Sequence, residues 1–264
     1  MNIIRYLPLF VLCACLTSAR AELSFGVDHT ELVTDLVPGT TRTLRFHVDN
    51  PGTETVPFTV YTEDFEVAKG TPVFSQKSGA RSLAARITPF PASFELKPGE
   101  VREITLTLDA GPGPFAPGSY YAAVFVQSSR LAEPVAAGDQ RSARVNVVRR
   151  LGLYVFADHK PETQPLPPDV SMTALTRTAN GVTLTIKNPS PYVRFVSSGN
   201  LQLTALSGGK PHAVAIRPFK LLPETETTID VTVPAKVQLG DANVLAVVDY
   251  GAEELLVGEQ RMKF

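Results

Sequence analysis

Apolar and polar residues alternate with a period of two along much of the chain. In Thr41–Val48, Leu44, Phe46 and Val48 fall on one side and Arg45 and His47 on the other. Val101–Leu108 repeats the pattern with Ile104, Leu106 and Leu108, and Val182–Lys187 alternates in the same way. Successive side chains of a strand point to opposite faces, so these segments predict strands with one buried face. Further strands are expected at Leu23–Val27, Glu31–Val37, Val56–Tyr61, Leu201–Leu206, Leu221–Glu224, Thr227–Val233, Val244–Tyr250 and Leu255–Phe264. Tyr120–Gln127 is nearly all apolar, which predicts burial on both faces. Turns fall at Pro38-Gly39, Asn50-Pro51-Gly52, Pro98-Gly99 and Gly208-Gly209. Residues 62–85 are polar and carry no clear strand signal, and Ser128–Ser142 reads as a long loop. Helical periodicity is hard to find, so the pattern predicts an all-β chain.

The longest strand-like run is Ala143–Ala157, ARVNVVRRLGLYVFA. Ala143, Val145, Val147, Leu151, Leu153 and Val155 share one face, which Arg149 interrupts, while Arg150 lies on the other. Two readings stay open: the run is the last core strand of a sandwich, or its upper part is offered to a partner. The arginines have two readings as well. They are surface cations whose stems cover apolar area, or they form a carboxylate clamp at the mouth of the interdomain cleft.

After Ala157 the proline-rich stretch DHKPETQPLPPD reads as a semi-rigid connector. Beyond it the pattern repeats. TLRFHVDNPG (43–52) parallels TLTIKNPS (183–190), LKPGEVREITLTL (96–108) parallels LLPETETTIDVTV (221–233), and GSYYAAVFV (118–126) parallels GDANVLAVVDYG (240–251). The offsets are 138, 125 and 122 residues, taken from Asn50 to Asn188, Leu96 to Leu221 and Gly118 to Gly240. Two copies of one β-sandwich in tandem are therefore expected, over residues 22–157 and 158–264. A seven-stranded immunoglobulin-like domain needs about 100 residues, which each half supplies.

Residues 1–21, MNIIRYLPLFVLCACLTSARA, have a basic start, an apolar middle and a small-x-small end, and read as a secretory signal cleaved before Glu22. Lipidation at Cys15 is the alternative reading of this segment. Both cysteines lie in it, at 13 and 15, so the mature chain is expected to hold no disulfide and no thiolate site. Without Arg5 and Arg20 there are 23 basic residues against 26 acidic ones. That balance gives no basic footprint for nucleic acid.

Candidate chemistry is sparse. His47-x-Asp49 is a period-two pair that reads either as metal ligands or as solvated side chains. No GxSxG is present, and GPGPFAPG (111–118) lacks the helix and lysine of a phosphate loop. Neither an enzyme nor a cofactor nor a small-molecule substrate is expected.

The second half carries a family likeness. NPSPY (188–192) resembles the Asn-Pro-Thr-Pro-Tyr of the PapD-like periplasmic pilus-assembly chaperones, Pro218-Phe219 resembles their Ala-Pro-Phe-Ser, and VVDYGAE (247–253) resembles their Ile-Asn-Asp-Tyr-Gly-Gly. In the first half, TPFPASFELKPGEVREITL (88–106) and RLGLYVFA (150–157) resemble that family's strand pair and last strand. The resemblance implies two tandem immunoglobulin-like sandwiches in a boomerang. It also implies periplasmic chaperoning of pilin-like subunits by lending them a missing strand, with an outer-membrane usher as a further partner. The lent residues would be Ala143, Val145 and Val147.

The chain departs from that pattern at charged positions. Glu31 and Gly152 stand where the family has the arginine and lysine that hold a subunit's terminal carboxylate, and Phe156 stands where it has an arginine facing Asp249. Arg150 is the candidate replacement anchor, or else the partner of Glu31. The alternative function is an exported structural or adhesive protein that buries its own last strand.

Overall fold

In the computed structural model, residues 25–77, 79–131, 146–161, 169–234, 237 and 239–264 are described. The expected signal segment and the expected strand-lending residues Ala143 and Val145 lie outside them, and Val147 is described in its main chain alone.

Among the described residues, the strands of the first half are β1 (Gly26–Val27), β2 (Glu31–Asp35), β3 (Thr41–Asp49), β4 (Val56–Ala68), β5 (Thr71–Ser75), β6 (Ile87–Phe90), β7 (Ser93–Leu96), β8 (Val101–Asp109), β9 (Gly118–Leu131) and β10 (Asn146–His159). One sheet has the order β1-β3-β8-β6 and the other the order β2-β10-β9-β4-β5, with β7 also on β4. All these pairings are antiparallel except that of β2 with β10. The period-two pattern sends Phe46, Val48, Ile104, Leu106 and Leu108 from one sheet, and Val60, Val124, Val126, Leu153 and Val155 from the other, into a single core.

The described residues of the second half form β11 (Ser171–Thr178), β12 (Gly181–Asn188), β13 (Arg194–Val196), β14 (Ser198–Ala205), β15 (His212–Ile216), β16 (Phe219–Leu221), β17 (Thr225–Thr232), β18 (Asp241–Asp249) and β19 (Leu256–Lys263). They form sheets β11-β12-β17, β13-β16 and β15-β14-β18-β19. Leu184, Ile186, Leu201, Leu203, Val244 and Val248 lie at the centre of this second core. The chain is all-β, with two tandem immunoglobulin-like sandwiches, as the sequence pattern predicts.

The repeat seen in the sequence reappears atom by atom. Asn50 Nδ2 donates to the carbonyls of Glu54 (2.8 Å) and Leu96 (3.0 Å), while its Oδ1 accepts from Gly52 N. Asn188 Nδ2 donates to the carbonyls of Tyr192 (2.8 Å), Leu221 (3.2 Å) and Leu222 (3.0 Å), while its Oδ1 accepts from Ser190 N. Both asparagines are buried, so each amide closes a corner whose carbonyls would otherwise lack partners.

Two segments differ from the sequence reading. β4 runs to Ala68 and β5 follows, inside the polar stretch left without strands, and β9 runs to Leu131 into the expected loop. In both places main-chain pairing with a neighbouring strand continues where the hydrophobic alternation fades.

Candidate functional site

β10 joins the two halves and has an asymmetric edge. Along one side it pairs with β9 over its full length, Asn146–His159. On the other side β2 pairs only with Tyr154–Asp158, and the last bond on that side is Tyr154 N to Thr30 O, at 3.0 Å. Main-chain groups alternate sides along a strand, so Val148, Arg150 and Gly152 point theirs the same way as Tyr154. Among the described residues no strand covers that edge ahead of Tyr154. The odd positions turn inward progressively: Leu151 is 38% exposed, and Leu153 is 1% exposed in the core. Val148, on the other face, is 48% exposed.

The even face of β10 looks toward the second sandwich and is lined with aromatics. Phe65, Phe125 and Phe156 are buried there with Leu222 of the second half, and Tyr61, Phe74, Tyr121, Tyr154 and Val193 pack around them. The second half of β4 and the whole of β5 bring Phe65 to 5.0 Å from both Tyr121 and Tyr154, and Phe74 to 4.8 Å from Phe125, ring centre to ring centre. Burial, with the Asp64 carboxylate as the next cause, pushes the Tyr121 hydroxyl up to about 12.

Arg150 closes this cluster at the open edge. Its guanidinium carbon lies 4.1 Å from the centre of the Phe125 ring and 5.6 Å from that of Phe74. Nη1 donates to the Tyr61 hydroxyl at 3.3 Å and faces Glu63 Oε2 at 3.5 Å. The Tyr61 bond raises its pKa further. Arg150 and Glu31 have different partners: the Glu31 carboxylate meets Lys220 Nζ at 2.7 Å. Lys220 comes from the second half and also lies 4.7 Å from the Phe156 ring centre and 5.0 Å from that of Phe195.

Gly152 has a packing reason. A Cβ there would meet Phe125 Cε1 at 2.8 Å, so the aromatic cluster occupies the space of any side chain at that position. Asp249 Oδ1 accepts from Gly251 N at 2.9 Å and holds a turn. Ion pairs between the halves arise elsewhere, at Glu31–Lys220 and at Arg81–Glu224, where Arg81 Nη2 lies 2.9 Å from Glu224 Oε2.

The NPSPY turn also docks on the first half. Ser119 N donates to Pro191 O at 2.9 Å, Val193 N donates to Ser119 Oγ at 2.9 Å, and Ser119 Oγ donates to Asp158 Oδ1 at 2.5 Å. His47, one half of the sequence's period-two pair, faces Asp28 through Nδ1 at 2.7 Å.

Phe65, Phe74, Phe125 and Lys220 were not singled out by the sequence reading. Phe125 sits in a run of uniform hydrophobicity, and Phe65 and Phe74 sit in the stretch that carried no strand signal.

The chain resembles known proteins in part of its sequence and in its fold. Residues 171–256 match the family model described as Pili assembly chaperone PapD, C-terminal domain. No curated protein matches the chain. Among solved structures, the YadV chaperone is 13% identical with a TM-score of 0.50, and the match covers 90% of this chain and 99% of that one. The class 5 fimbriae chaperone CfaA is 12% identical with a TM-score of 0.46, over 90% and 99% of the two chains. The Pseudomonas aeruginosa CupB2 chaperone is 12% identical with a TM-score of 0.45, again over 90% and 99%. The second sandwich is thus similar to the PapD C-terminal domain over residues 171–256.

Proposed function

We propose that this protein is a non-enzymatic periplasmic chaperone for pilus-like subunits, made of domains 22–157 and 158–264, that lends them an edge of β10. One observation carries the reading: β2 covers β10 only from Tyr154 onward, so the edge ahead of it has no strand on it among the described residues. An open strand edge is a template for another chain, since main-chain bonds supply affinity and alternate side chains supply selectivity. The name of the matching family, a pili assembly chaperone, agrees with this use. In this reading Ala143, Val145 and Val147 fill the subunit's groove. Arg150 holds the strand's far end flat by stacking on Phe125. An outer-membrane usher is the expected second partner.

The test is purification of the tagged protein from periplasm, with mass spectrometry of what accompanies it. A secreted subunit is expected in the wild-type preparation and is expected to be lost with the Val145→Asp, Val147→Asp pair. Retention of the same subunit by that double variant would sink strand donation. A lone monomer from both preparations would favour an exported structural or adhesive protein.

A further inference from the structure

Among the described residues the edge of β10 ahead of Tyr154 is open because the chain before β2 leaves it at a definite point. The N-terminal segment changes sheets between Val27 and Glu31. β1 pairs with β3 through Gly26↔Asp49 and Val27↔Val48, whereas β2 pairs with β10 from Glu31↔Tyr154 onward. Two residue pairs are a slight hold for a strand. The crossover is pinned instead by Asp28. Its Oδ1 accepts the His47 amide at 2.7 Å and faces His29 Nδ1 at 2.8 Å, and its Oδ2 faces His47 Nδ1 at 2.7 Å. Asp28 N also donates to His47 O at 3.3 Å. Phe25 adds an edge contact with Phe58, ring centres 5.2 Å apart.

The same parallel register, continued back from Glu31↔Tyr154, would set Thr30, His29, Asp28, Val27, Gly26 and Phe25 against Leu153, Gly152, Leu151, Arg150, Arg149 and Val148. Of these six, Gly26 and Val27 now pair with β3 and Asp28 bonds to His47, while Thr30 already accepts from Tyr154, so the segment has the length needed to cover the open edge. They would bond to the outward main-chain groups of Val148, Arg150 and Gly152.

We propose that the Asp28–His47 clamp is a strand switch that keeps the lending edge open, and that releasing it lets residues 25–30 extend β2 and cap β10 within the same molecule. The inference rests on the proposed use of that edge, and it adds an autoinhibited form with β1 as the competitor of the subunit. The capped form would satisfy the edge by the same parallel pairing that β2 already makes, with no change in the rest of either sheet. Its cost is withdrawal of Phe25 and Val27 from the first core, against which both now pack. The clamp and this apolar packing act together to favour the open form.

The experiment is amide hydrogen exchange on the full mature protein without a partner, comparing wild type with Asp28→Ala and with Gly26→Val. The second variant attacks the same hold from the other side, because a Cβ at Gly26 would collide with the Asp49 carboxylate. Slower exchange at Arg150 and Gly152 is expected in both variants, their amides then donating to Gly26 O and Asp28 O. A Gly26→Cys, Asp49→Cys pair, which staples β1 to β3, is expected to restore wild-type exchange in the Asp28→Ala background. If the capped form rises to nine-tenths of molecules, affinity for a synthetic strand peptide that binds the wild type falls about tenfold. Unchanged or faster exchange at those two amides, in variants that still unfold cooperatively, overturns the switch. Exchange on the free protein needs no subunit, so the switch stands or falls on it even if no peptide binds, and absence of peptide binding to the wild type counts against strand lending alone.

Discussion

Glu224 in the second sandwich occupies the left-handed backbone position that Gly99 occupies in the first, with φ of 55° and 75° respectively. The sequence repeat aligns the two residues, at the same place in LKPGE and LLPET. Glycine takes this conformation freely, and other residues pay of the order of 1 kcal/mol for it. The second copy keeps a glutamate there, and its carboxylate reaches Arg81 of the first sandwich. Local backbone strain is thus tied to a bond between the halves.

Glu224→Gly and Glu224→Gln separate the two effects. Both lose the charge at Arg81, but only glycine relieves the backbone. The glycine variant is expected to be about 1 kcal/mol more stable than the glutamine variant in urea unfolding. Both are expected to show a weaker coupling to Arg81→Ala in a double-mutant cycle. Equal stability of the two variants would mean that the backbone at this position carries no strain.

Asn50 and Asn188 offer a paired test of the repeat. Each is buried and serves carbonyls on either side of its own corner. Truncation to alanine leaves those acceptors unsatisfied, at roughly 1–3 kcal/mol per buried group. Asn50→Ala and Asn188→Ala are expected to destabilise by similar amounts. Each should speed amide exchange mainly within its own sandwich. Global acceleration from either single change would show that the two sandwiches open as one unit.

These corners also mark how much was legible in the sequence. Asn-Pro followed by a small residue closes an alternating strand in both copies, so the repeat, the turn and the all-β fold were all visible in the residue pattern. The aromatic face was not. Phe65 and Phe74 come from a polar stretch whose strands are held by pairing with β4's own return, and such pairing leaves no periodic mark. Lys220 and Glu31 lie 189 residues apart in the chain, and only the docking of the sandwiches brings them to 2.7 Å. Arg150 was legible as a cation on the face opposite Arg149. Its stacking on Phe125 was not, because that depends on Gly152 leaving room for the ring.

The Tyr121 hydroxyl gives a pH prediction. Its pKa is raised from 10.0 to about 12, chiefly by burial and then by the Asp64 and Glu66 carboxylates, with Arg81 opposing. Between those values the folded protein keeps a proton that the unfolded chain has lost. Unfolding then releases a proton, so stability falls as pH rises. The contribution is fully present below pH 10 and is lost through about pH 12. Tyr121→Phe is expected to flatten the alkaline limb of urea-unfolding stability measured across that window. A slope unchanged by the substitution would assign the alkaline loss to other groups, among them Tyr154, whose pKa burial also raises.

Gly118 sets how closely the halves approach. It opens β9 with φ of 130°, and a Cβ there would run into Pro191 O and Arg81 Nη1. Beside it, Ser119 makes the main-chain bond to Pro191. Gly118→Ala therefore has two costs, a backbone conformation that L-residues rarely adopt and a wedge against a carbonyl that cannot swing aside. Overpacking of this kind typically costs about 1–3 kcal/mol. The strain is relieved most simply by parting the sandwiches, since each has its own core. The expected outcome is a larger radius of gyration in small-angle scattering, with each core still folded and the Ser119–Pro191 amide exchanging faster. Subunit capture should fall if the aromatic face must stay covered by Leu222 and Val193 to hold β10 flat. Capture at wild-type strength from a visibly opened molecule would show that the edge of β10 works independently of how the second sandwich is docked.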